Sequence, residues 1–412
     1  MNVINLIKQK MIKTQWSKYY KKDERKIKIE DISVYEMLEK RSQEREKNIA
    51  LNYYGKQINY KEFLHRINQA ANAFRSQGIR RGDVVTICMP NTPEALISFY
   101  AVNKIGTIAN MIHPLSGEKE IKEYLNSTHS VMLIMIDICY EKVKNIIKET
   151  DVYKTIVISA SDSMNFLLAF GYQITQGYKI QKPKRSEEYV YWKDFIRKGL
   201  NYHAKEDYHT TKDTPAVILH SGGTTGSPKG IILTNGNFNA LTEQAKIAFK
   251  EVKPGEKVLA IMPIFHGFGL GVSINAPLDL GCEVILIPQF NAKNFVKLIE
   301  KYKPNVLFGV PTLFEALINT KNERLNLSMV KYIISGGDSL SPSLERRINV
   351  YLSNHGASIT ISQGYGMTEA LAAVALSFGK ANKSGSIGIP LTGNYMKIVK
   401  PGTQAEVPYG EE

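Results

Sequence analysis

The stretch 221–230 has the composition of an anion-binding loop, with the sequence Ser-Gly-Gly-Thr-Thr-Gly-Ser-Pro-Lys-Gly. Its glycines expose backbone N–H groups and permit left-handed backbone angles, so the loop can wrap around a phosphate. Its hydroxyls add donors, and its lysine adds a mobile positive charge. Apolar runs at 216–219 and 231–233 predict a strand on each side. The candidate phosphate-binding residues are Ser221, Gly222, Gly223, Thr224, Thr225, Gly226 and Lys229.

The order of residues distinguishes this loop from a Walker A motif. That motif needs Gly-Lys-Ser/Thr at the start of a helix. Here Ser227 and Pro228 precede Lys229, and Pro228 has no N–H group to donate. A flexible polar hairpin turn is the alternative for an isolated loop of this kind, so its interpretation depends on the rest of the chain.

A second motif, Gly-Tyr-Gly-Met-Thr-Glu at 364–369, follows an apolar run that ends at Ile361. A tyrosine ring between two glycines can lie flat against a planar base. The threonine offers a hydroxyl donor, and the glutamate offers a carboxylate that can hold Mg²⁺ beside phosphate oxygens. The candidate residues are Gly364, Tyr365, Gly366, Thr368 and Glu369.

Gly336, Gly337 and Asp338 form a third candidate group. They follow the apolar run 332–334, which predicts a strand. Ligands bind beyond the carboxyl ends of strands in open α/β sheets, so this group lies where a ligand is expected.

Helical and strand patterns alternate from about Tyr60 onward and provide the elements that position these motifs. Thr92-Pro93-Glu94, for example, combines a hydroxyl cap, a proline at the first helical position and an acid in the first turn. The alternation predicts an α/β fold with two doubly wound, largely parallel sheet lobes. The predicted strands are 84–89, 108–112, 131–136, 155–159, 257–261, 283–287, 305–308, 332–334 and 358–361.

We expect four segments along the chain. They are a basic N-terminal segment at 1–30, a first α/β lobe at 31–212, a second α/β lobe with the three motifs at 213–384, and the start of a small antiparallel β subdomain at 385–412. The alternation fails between 161 and 213, where an apolar run is followed by tyrosines and lysines. We interpret this region as a connector, and a lipid- or substrate-facing insertion is the alternative.

Composition and charge limit the classes of protein to which this chain can belong. The chain has 412 residues, 43% of them apolar, and no apolar run long enough to cross a bilayer. The N-terminus lacks the apolar core of a signal peptide, and three scattered cysteines predict reduced thiols, so we expect a cytoplasmic location. The net charge of +14 is concentrated at 1–30, which we interpret as a solvated surface helix, with membrane contact as the alternative. No nucleic-acid-binding motif accompanies the charge, so we expect no nucleic-acid partner.

Taken together and in this order, the three motifs resemble those of the adenylate-forming superfamily. This family includes acyl- and aryl-CoA synthetases, luciferase-like enzymes and the adenylation domains of peptide synthetases. The likeness runs from about Tyr53 to the C-terminus and includes the segments 82–85, 89–94 and 385–388. The combination is highly specific, although no single motif is.

The resemblance implies a role for each motif. The loop 221–230 would bind the β- and γ-phosphates of ATP. Gly336, Gly337 and Asp338 would border the adenine, and Tyr365 would stack on it. The catalytic residues would be Thr368 at the α-phosphate, Glu369 and Lys229, with Glu369 and Thr224 as the ligands of Mg²⁺.

The resemblance also implies two successive acyl transfers. A carboxylate attacks the α-phosphorus of ATP to give acyl-AMP and pyrophosphate, and a thiol, usually that of coenzyme A, then displaces AMP. No side chain has to act as a nucleophile in this chemistry. Positioning and charge neutralisation are sufficient, and the three motifs supply both.

Residues 263–269 match the segment that precedes the acyl-binding helix of the family. Amino-acid-activating members typically have an aspartate where this chain has His266, which implies a fatty or other apolar acid. A structural histidine at a strand end is the alternative. The glycines at 267, 269 and 271 either leave room for an acyl tail or permit close packing. The candidate substrate residues are His266, Gly309, Val310 and Pro311.

The resemblance also implies an aspartate that holds the ribose hydroxyls, a hinge residue, and a lysine on a small mobile C-terminal domain, all downstream of Glu412, and none has a counterpart here. We therefore expect a fragment of a longer protein that binds nucleotide weakly and catalyses adenylation poorly. The leading hypothesis is an ATP-dependent acid–CoA ligase. The alternatives are an acyl-AMP ligase that loads a carrier-protein thiol, a catalytically silent nucleotide- or acyl-binding module, and a basic protein of membrane or nucleic-acid surfaces. The sequence leaves the oligomeric state open.

Overall fold

The computed structural model describes residues 14–202, 208–221, 229–320, 322–408 and 410–411. Two twisted β-sheets with helices packed on their faces form the body of the protein, which confirms the α/β class predicted from the sequence. In the part of the chain that is described, no helix combines the length and the apolar character that crossing a bilayer requires.

The strands make up a seven-stranded sheet and a nine-stranded sheet. The order in the first is β7-β6-β5-β3-β4-β8-β9, and in the second β16-β15-β14-β13-β12-β10-β11-β1-β2. The strands are β1 Ile49–Tyr53, β2 Lys56–Asn59, β3 Val84–Cys88, β4 Ile108–Met111, β5 Met132–Ile136, β6 Lys154–Ile158, β7 Tyr189–Tyr191, β8 Pro215–Ser221, β9 Lys229–Thr234, β10 Lys257–Ala260, β11 Glu283–Leu286, β12 Val306–Gly309, β13 Tyr332–Ser335, β14 Ser362–Met367, β15 Ala372–Leu376 and β16 Ile389–Pro390.

Parallel pairing dominates both sheets, and the antiparallel pairs are confined to their edges. β9 pairs antiparallel with β8 at one edge of the seven-stranded sheet. In the nine-stranded sheet β2 pairs antiparallel with β1 at one edge, and β15 and β16 continue antiparallel from β14 at the other. The carboxyl ends of the central strands therefore meet at a common edge of each sheet.

The helices cover the faces of the two sheets. They are α1 Val34–Ser42, α2 Tyr60–Ser76, α3 Pro93–Lys104, α4 Glu118–Ser127, α5 Tyr140–Val143, α6 Phe166–Thr175, α7 Trp192–Gly199, α8 Asn235–Ala248, α9 Ala276–Asp279, α10 Phe295–Tyr302, α11 Pro311–Ile318 and α12 Pro342–Asn354. A π-helix, Phe268–Asn275, leads directly into α9. The start predicted at Thr92 is confirmed, because the Thr92 hydroxyl accepts a hydrogen bond from the Ala95 N–H.

Most of the predicted strands are confirmed to within one or two residues, but the strand predicted at 358–361 is wrong. That segment has no regular structure, and β14 begins at Ser362. The glycines and the tyrosine of the second motif therefore lie within a strand rather than on a turn after it. Two glycines and two polar residues among the six of β14 concealed this strand, because they carry no apolar pattern.

The sheets do not follow the lobe boundary that the sequence suggested at 212/213. β1 and β2, from the N-terminal half of the chain, extend the nine-stranded sheet through pairing of β1 with β11. β8 and β9, from beyond the expected boundary, complete the seven-stranded sheet through pairing of β8 with β4. The two halves of the chain thus exchange one hairpin each.

Glu94 lies in the first turn of α3 with its side chain in the interior, only 3% exposed. Its Oε1 accepts a hydrogen bond from the Ser163 hydroxyl. Burial raises the pKa of this carboxyl to about 7, although the Ser163 hydrogen bond opposes the shift. The native state therefore holds a proton more tightly than the unfolded chain does between pH 4.5 and 7.

We expect Glu94→Gln to stabilise the protein in a pH-dependent manner. The raised pKa means that stability is full below about pH 4.5 and is lost as the pH rises through about 7, by on the order of 3 kcal/mol. Glutamine keeps the acceptor for Ser163 without the charge, so its advantage over the wild type should grow from about pH 5 to about pH 8. Denaturant unfolding at both pH values measures this. The raised pKa of Glu94 would be contradicted if Glu94→Gln increased the free energy of unfolding equally at the two pH values. It would also be contradicted if Glu44→Gln, at an exposed acid, gave the same increase.

Candidate functional site

The β8–β9 hairpin holds the ends of the predicted phosphate loop. Its antiparallel register pairs Ser221 with Lys229, so these two residues are neighbours at the open end of the hairpin. Ser221 is half-buried, and Lys229 is exposed. Both strands predicted to flank the loop are confirmed. The other candidates of this loop, Gly222, Gly223, Thr224, Thr225 and Gly226, lie outside the described residues.

His220, directly before Ser221, is a residue of the site that the sequence reasoning missed. Its Nε2 lies 2.7 Å from Oδ1 of Asn110 on the neighbouring strand β4, and its ring packs on Tyr124 with centroids 4.0 Å apart. Burial lowers the pKa of the imidazole to about 4, so the ring is neutral and Nε2 donates to the amide oxygen. A histidine within an apolar strand was the available signal.

The second motif ends in a short 3₁₀ turn, Thr368–Ala370, that packs against this hairpin. Residues of the turn lie within 8 Å of residues of both β8 and β9, measured between Cα atoms. Glu369 is exposed on the turn, and Thr368 is half-buried. The strand that carries Lys229 and the turn that carries Glu369 therefore meet in space, although they are distant in the sequence.

The backbone that follows the turn has an unusual conformation. Leu371 and Ala372 have φ angles of 52° and 81°, which residues with a side chain adopt rarely. Gly366 lies so close to Ala372 that a Cβ on Gly366 would be 1.1 Å from the Ala372 carbonyl oxygen. The β14–β15 register also shifts between Tyr365 and Gly366. Strained backbone of this kind persists where the surroundings determine it, often at functional sites.

Three glycines lie side by side on adjacent strands: Gly309 ends β12, Gly336 follows β13, and Gly364 is the third residue of β14. The Gly336 N–H donates to the Gly309 carbonyl at 3.0 Å, and a Cβ on Gly336 would lie 3.4 Å from the Gly364 carbonyl oxygen. Gly336 and Gly364 line a groove between these strands, whereas the space beside Gly309 is filled by the Leu313 and Phe314 side chains. Tyr365, 40% exposed, projects from the same strand as Gly364.

Gly337 and Asp338 form the rim of this groove. Gly337 has a φ of 81°, the left-handed conformation that favours glycine. Asp338 is exposed, and its Oδ1 accepts a hydrogen bond from the Ser339 N–H at 2.7 Å. The second motif thus adjoins both of the others, since β14 pairs with β13, which leads into Gly336, and the Thr368–Ala370 turn lies beside β8 and β9.

A largely apolar cavity of about 480 Å³ opens at this groove. Gly336, Gly337, Tyr365 and Thr368, which belong to the predicted nucleotide motifs, line its mouth. Its size is within the range of small-molecule binding sites. The same cavity therefore joins predicted nucleotide-binding residues to an apolar interior.

The cavity extends along the face of the nine-stranded sheet to the opposite edge. Val310 follows β12 at the carboxyl edge, whereas Val306 is the first residue of that strand, and both line the cavity. These four residues of strand correspond to about 13 Å. Val258 and Cys282 line the inner end near the start of β10 and β11. The cavity is therefore long and reaches across the sheet.

Helix α8 forms the opposite wall. The lining residues Leu241, Gln244, Ala245 and Ala248 have the spacing of one helical face. Gln244 donates to the Thr392 carbonyl at 2.9 Å, so its amide is bound to backbone. The wall between the sheet and the helix is otherwise mainly apolar, and it suits an uncharged chain.

The predicted substrate residues have different positions. His266 and Val310 line the cavity, whereas Gly309 and Pro311 are not among its lining residues. A Cβ on Gly309 would lie 2.5 Å from the Leu313 side chain, and Pro311 is buried at the start of α11. Desolvation lowers the pKa of His266, and the nearby His113 ring acts in the same direction. His266 is nevertheless exposed at the cavity wall, and the lowered pKa favours its neutral form.

The glycines that follow His266 serve close packing. A Cβ on Gly269 would lie 1.9 Å from the Pro263 carbonyl oxygen, and one on Gly271 would lie 2.9 Å from the Leu241 side chain. Gly267 lines the cavity and lies against Ala372. Of the two roles left open by the sequence, packing of the π-helix accounts for Gly269 and Gly271. A π-helix was not expected, and it is frequent at functional sites.

Asn91 ties the seven-stranded sheet to the segment before His266. Its Nδ2 donates to the carbonyls of Ala260 at 3.0 Å and Met262 at 2.9 Å, and its Oδ1 accepts from the Ile264 N–H at 2.8 Å. The side chain is only 2% exposed. The sequence placed Asn91 in a family segment without a role, and its three hydrogen bonds make it a positioning residue of the site.

A metal ion at the site would have Glu369 as its carboxylate ligand among the residues that the structure describes. In the part of the chain that the structure describes, no group of three or more His, Cys, Asp or Glu side chains is arranged to hold a metal ion. Mg²⁺ commonly binds through one or two carboxylates together with phosphate oxygens. The exposed Glu369 beside the hairpin fits that mode, in which the nucleotide supplies the other ligands.

Comparison with known proteins agrees with this site. The long-chain-fatty-acid–CoA ligase of Bacillus subtilis is 30% identical over 349 residues, which are 83% of this chain and 61% of that protein. The chain thus spans about three fifths of the length of this relative. The structure of a long-chain-fatty-acid–CoA ligase from Archaeoglobus fulgidus superimposes with a TM-score of 0.79 at 22% identity, covering 95% of this chain and 76% of that one.

A second solved structure is equally similar. It is an anthranilate CoA ligase in complex with anthranoyl-AMP, with a TM-score of 0.79 and 21% identity over 93% of this chain and 69% of that one. At this identity both structures show the fold alone. The sequence model of the AMP-binding enzyme family matches residues 38–412, which is most of the chain. This protein therefore belongs to the AMP-binding enzyme family of adenylate-forming enzymes.

Proposed function

We propose that this protein uses ATP to activate a carboxylic acid as an acyl-adenylate, and that the acyl group then passes to the thiol of coenzyme A. The observation that carries the proposal is the shared cavity. Tyr365, Thr368 and Gly336, from two predicted nucleotide motifs, line the mouth of an apolar cavity that is long enough for an acyl chain. A site for nucleotide alone would not need that interior.

The residues around the mouth suit the first step. A carboxylate oxygen bonds to the α-phosphorus of ATP as the bond to pyrophosphate breaks. We assign the β- and γ-phosphates to the 221–230 loop with Lys229, the adenine to Gly336–Asp338 and Tyr365, and the α-phosphate to Thr368. Mg²⁺, held by Glu369 and Thr224, would neutralise phosphate charge. Catalysis would come from alignment and charge stabilisation.

We infer an acid with an extended apolar chain. The cavity runs between α8 and the nine-stranded sheet for about the length of a strand, and its walls are mainly apolar. A compact aromatic acid would fill only the outer part. The neutral ring of His266 near the mouth offers no negative charge to hold the ammonium group of an amino acid. The Bacillus subtilis relative is named for long-chain fatty acids, which agrees with this inference.

We expect Glu369→Gln to remove the Mg²⁺-dependent rise in melting temperature that ATP causes. In a thermal-shift assay with ATP and Mg²⁺ the wild-type chain should melt at a higher temperature than without nucleotide, because a ligand of the native state stabilises it. The variant should lose most of that shift, and the low ATP–pyrophosphate exchange expected of the wild-type chain should fall further. Glu251→Gln, at an exposed acid, is the control. An unchanged shift in Glu369→Gln would refute the metal role, and a wild-type chain indifferent to ATP would refute the nucleotide site.

The two glycines of the second motif provide a matched pair. A Cβ on Gly366 would collide with the Ala372 carbonyl oxygen at 1.1 Å, whereas one on Gly364 would make an ordinary contact of 3.5 Å with Leu376. We expect Gly366→Ala to displace the Thr368–Glu369 turn, to destabilise the protein by about 1–3 kcal/mol and to abolish the ATP-dependent shift. Gly364→Ala should melt within a few degrees of the wild type, because its Cβ would make only ordinary contacts. Equal destabilisation of the two variants in melting measurements would argue against this backbone geometry.

Filling the inner end of the cavity should shorten the accepted acid. Cys282 is buried there, and burial raises the pKa of its thiol to about 12, so it behaves as a small neutral side chain. Cys282→Phe should lower the rate with a long-chain acid by about tenfold or more and leave a short-chain acid and the ATP-dependent shift unaffected. Cys282→Ser, of similar volume, should change neither rate. A loss that is the same for both acids would contradict an acyl-binding role of this end.

A further inference from the structure

Helix α6, Phe166–Thr175, places apolar side chains in water. None of its ten residues is buried. Phe166 is 82% exposed, Leu167 79%, Phe170 60% and Ile174 57%. Large apolar side chains that are this exposed on one helix indicate a surface for interaction rather than a solvated connector.

The apolar residues of α6 form one face. Phe166, Phe170 and Ile174 are four residues apart, so they lie along the same side of the helix. The Phe166 and Phe170 rings stack with centroids 6.5 Å apart and planes 15° apart. The other side is attached to the protein, since Gln173 Nε2 donates to the Ser161 hydroxyl at 2.8 Å. Ala169 and Tyr172, which are half-buried, mark the side that faces the protein, so the apolar face points away from it.

Neighbouring loops extend this apolar face. β4, β5 and β6 are parallel strands of one sheet, so the loops after them lie at a common edge. Leu115 after β4 is 68% exposed, and Ile138 after β5 is 41% exposed. The Cys139 thiol donates to the Pro114 carbonyl at 3.2 Å, which joins these two loops. We call α6 with Leu115 and Ile138 the apolar rim.

Positive charge accompanies the apolar rim. The stretch 163–186, which includes α6, contains four basic residues and no acid. Lys179 and Lys184 are exposed. Lys182 lies 3.2 Å from Asp137, and Arg185 lies 3.4 Å from Asp194. Apolar side chains beside cations complement a surface that has an apolar interior and anionic headgroups.

We propose that the apolar rim is a docking surface for an anionic lipid bilayer. Phe166, Leu167, Phe170 and Ile174 would enter the headgroup–acyl boundary, while Lys179 and Lys184 would contact anionic headgroups. Tyr178, 69% exposed after the helix, has the amphipathic ring that favours this boundary. A second copy of the chain is a poorer occupant, because a symmetric contact would bring like charges of 163–186 together.

Docking in this orientation would also bring the candidate reaction site close to the bilayer. β8 is parallel to β4, so its last residue, Ser221, lies at the same edge of the seven-stranded sheet as the apolar rim. The edge that carries the candidate phosphate loop would therefore face the bilayer region from which a long-chain acid is supplied. Bilayer binding itself does not require any enzymatic activity.

The test is co-sedimentation of the whole chain with vesicles. One set contains equal parts of phosphatidylcholine and phosphatidylglycerol, and the other contains phosphatidylcholine alone. The wild type should bind the anionic vesicles. Phe166→Ser with Phe170→Ser should weaken binding by about tenfold or more, because both rings leave the apolar phase. Lys179→Gln with Lys184→Gln should weaken binding by about fivefold per lysine, on anionic vesicles alone.

Matched variants show whether binding is specific to the apolar rim. Val350→Ser with Ile398→Ser removes two apolar side chains that are 61% and 74% exposed elsewhere, and Lys293→Gln with Lys297→Gln removes two exposed charges elsewhere. Both should bind as the wild type does, as should a variant with glutamine at Lys8, Lys10 and Lys13. Because Phe166 and Phe170 are exposed, their replacement should leave the melting temperature unchanged.

Three results would overturn the proposal. The first is wild-type protein that stays in solution with both vesicle types. The second is loss of binding in the Lys8, Lys10 and Lys13 variant with none in the Phe166 and Phe170 variant, which would assign the contact to the N-terminal segment. The third is a wild-type dimer in sedimentation equilibrium that dissociates in the Phe166 and Phe170 variant, which would assign the face to a second copy.

Discussion

The candidate site depends on the way Asn91 joins the two sheets. Asn91 follows β3 in the seven-stranded sheet, yet its side-chain amide bonds to backbone groups at the end of β10 and just after it, in the nine-stranded sheet. Buried backbone groups without partners cost free energy, so Asn91 holds this chain segment in one conformation. The segment leads to His266 and to the π-helix that packs on Leu371. The strained backbone behind Glu369 is thereby supported from the other sheet.

Sequence reasoning succeeded where the physical signal was local. Continuous apolar runs identified the buried parallel strands, since a strand covered on both faces needs no polar alternation. The hydroxyl and proline at 92–93 identified the start of a helix for equally local reasons. The motifs around Lys229, Gly336 and Glu369 were recognised from glycine, hydroxyl and charged residues near strand ends. Gly336, Tyr365 and Thr368 line one cavity, the turn with Glu369 lies beside the strand with Lys229, and the roles of these residues stay predictions.

Other features could not be read from local pattern. The exchange of hairpins between the sheets arises from pairing of β1 with β11 and of β4 with β8, which are far apart along the chain. The positive φ angles at Leu371 and Ala372 are imposed by packing, because neither residue type favours them. β14 was misplaced since its exposed Tyr365 and two glycines lack an apolar period. His220 was overlooked because it directly follows an apolar run that was interpreted only as a strand.

The exchanged hairpins also constrain how the chain can fold during translation. The β1–β2 hairpin is made early, but the strand that covers its inner edge, β11, is about 230 residues further along. Until the ribosome has released that strand, β1 exposes an unpaired edge of the kind that promotes aggregation. Assembly of the nine-stranded sheet is therefore a late event, and the nascent N-terminal half is a natural client for chaperones.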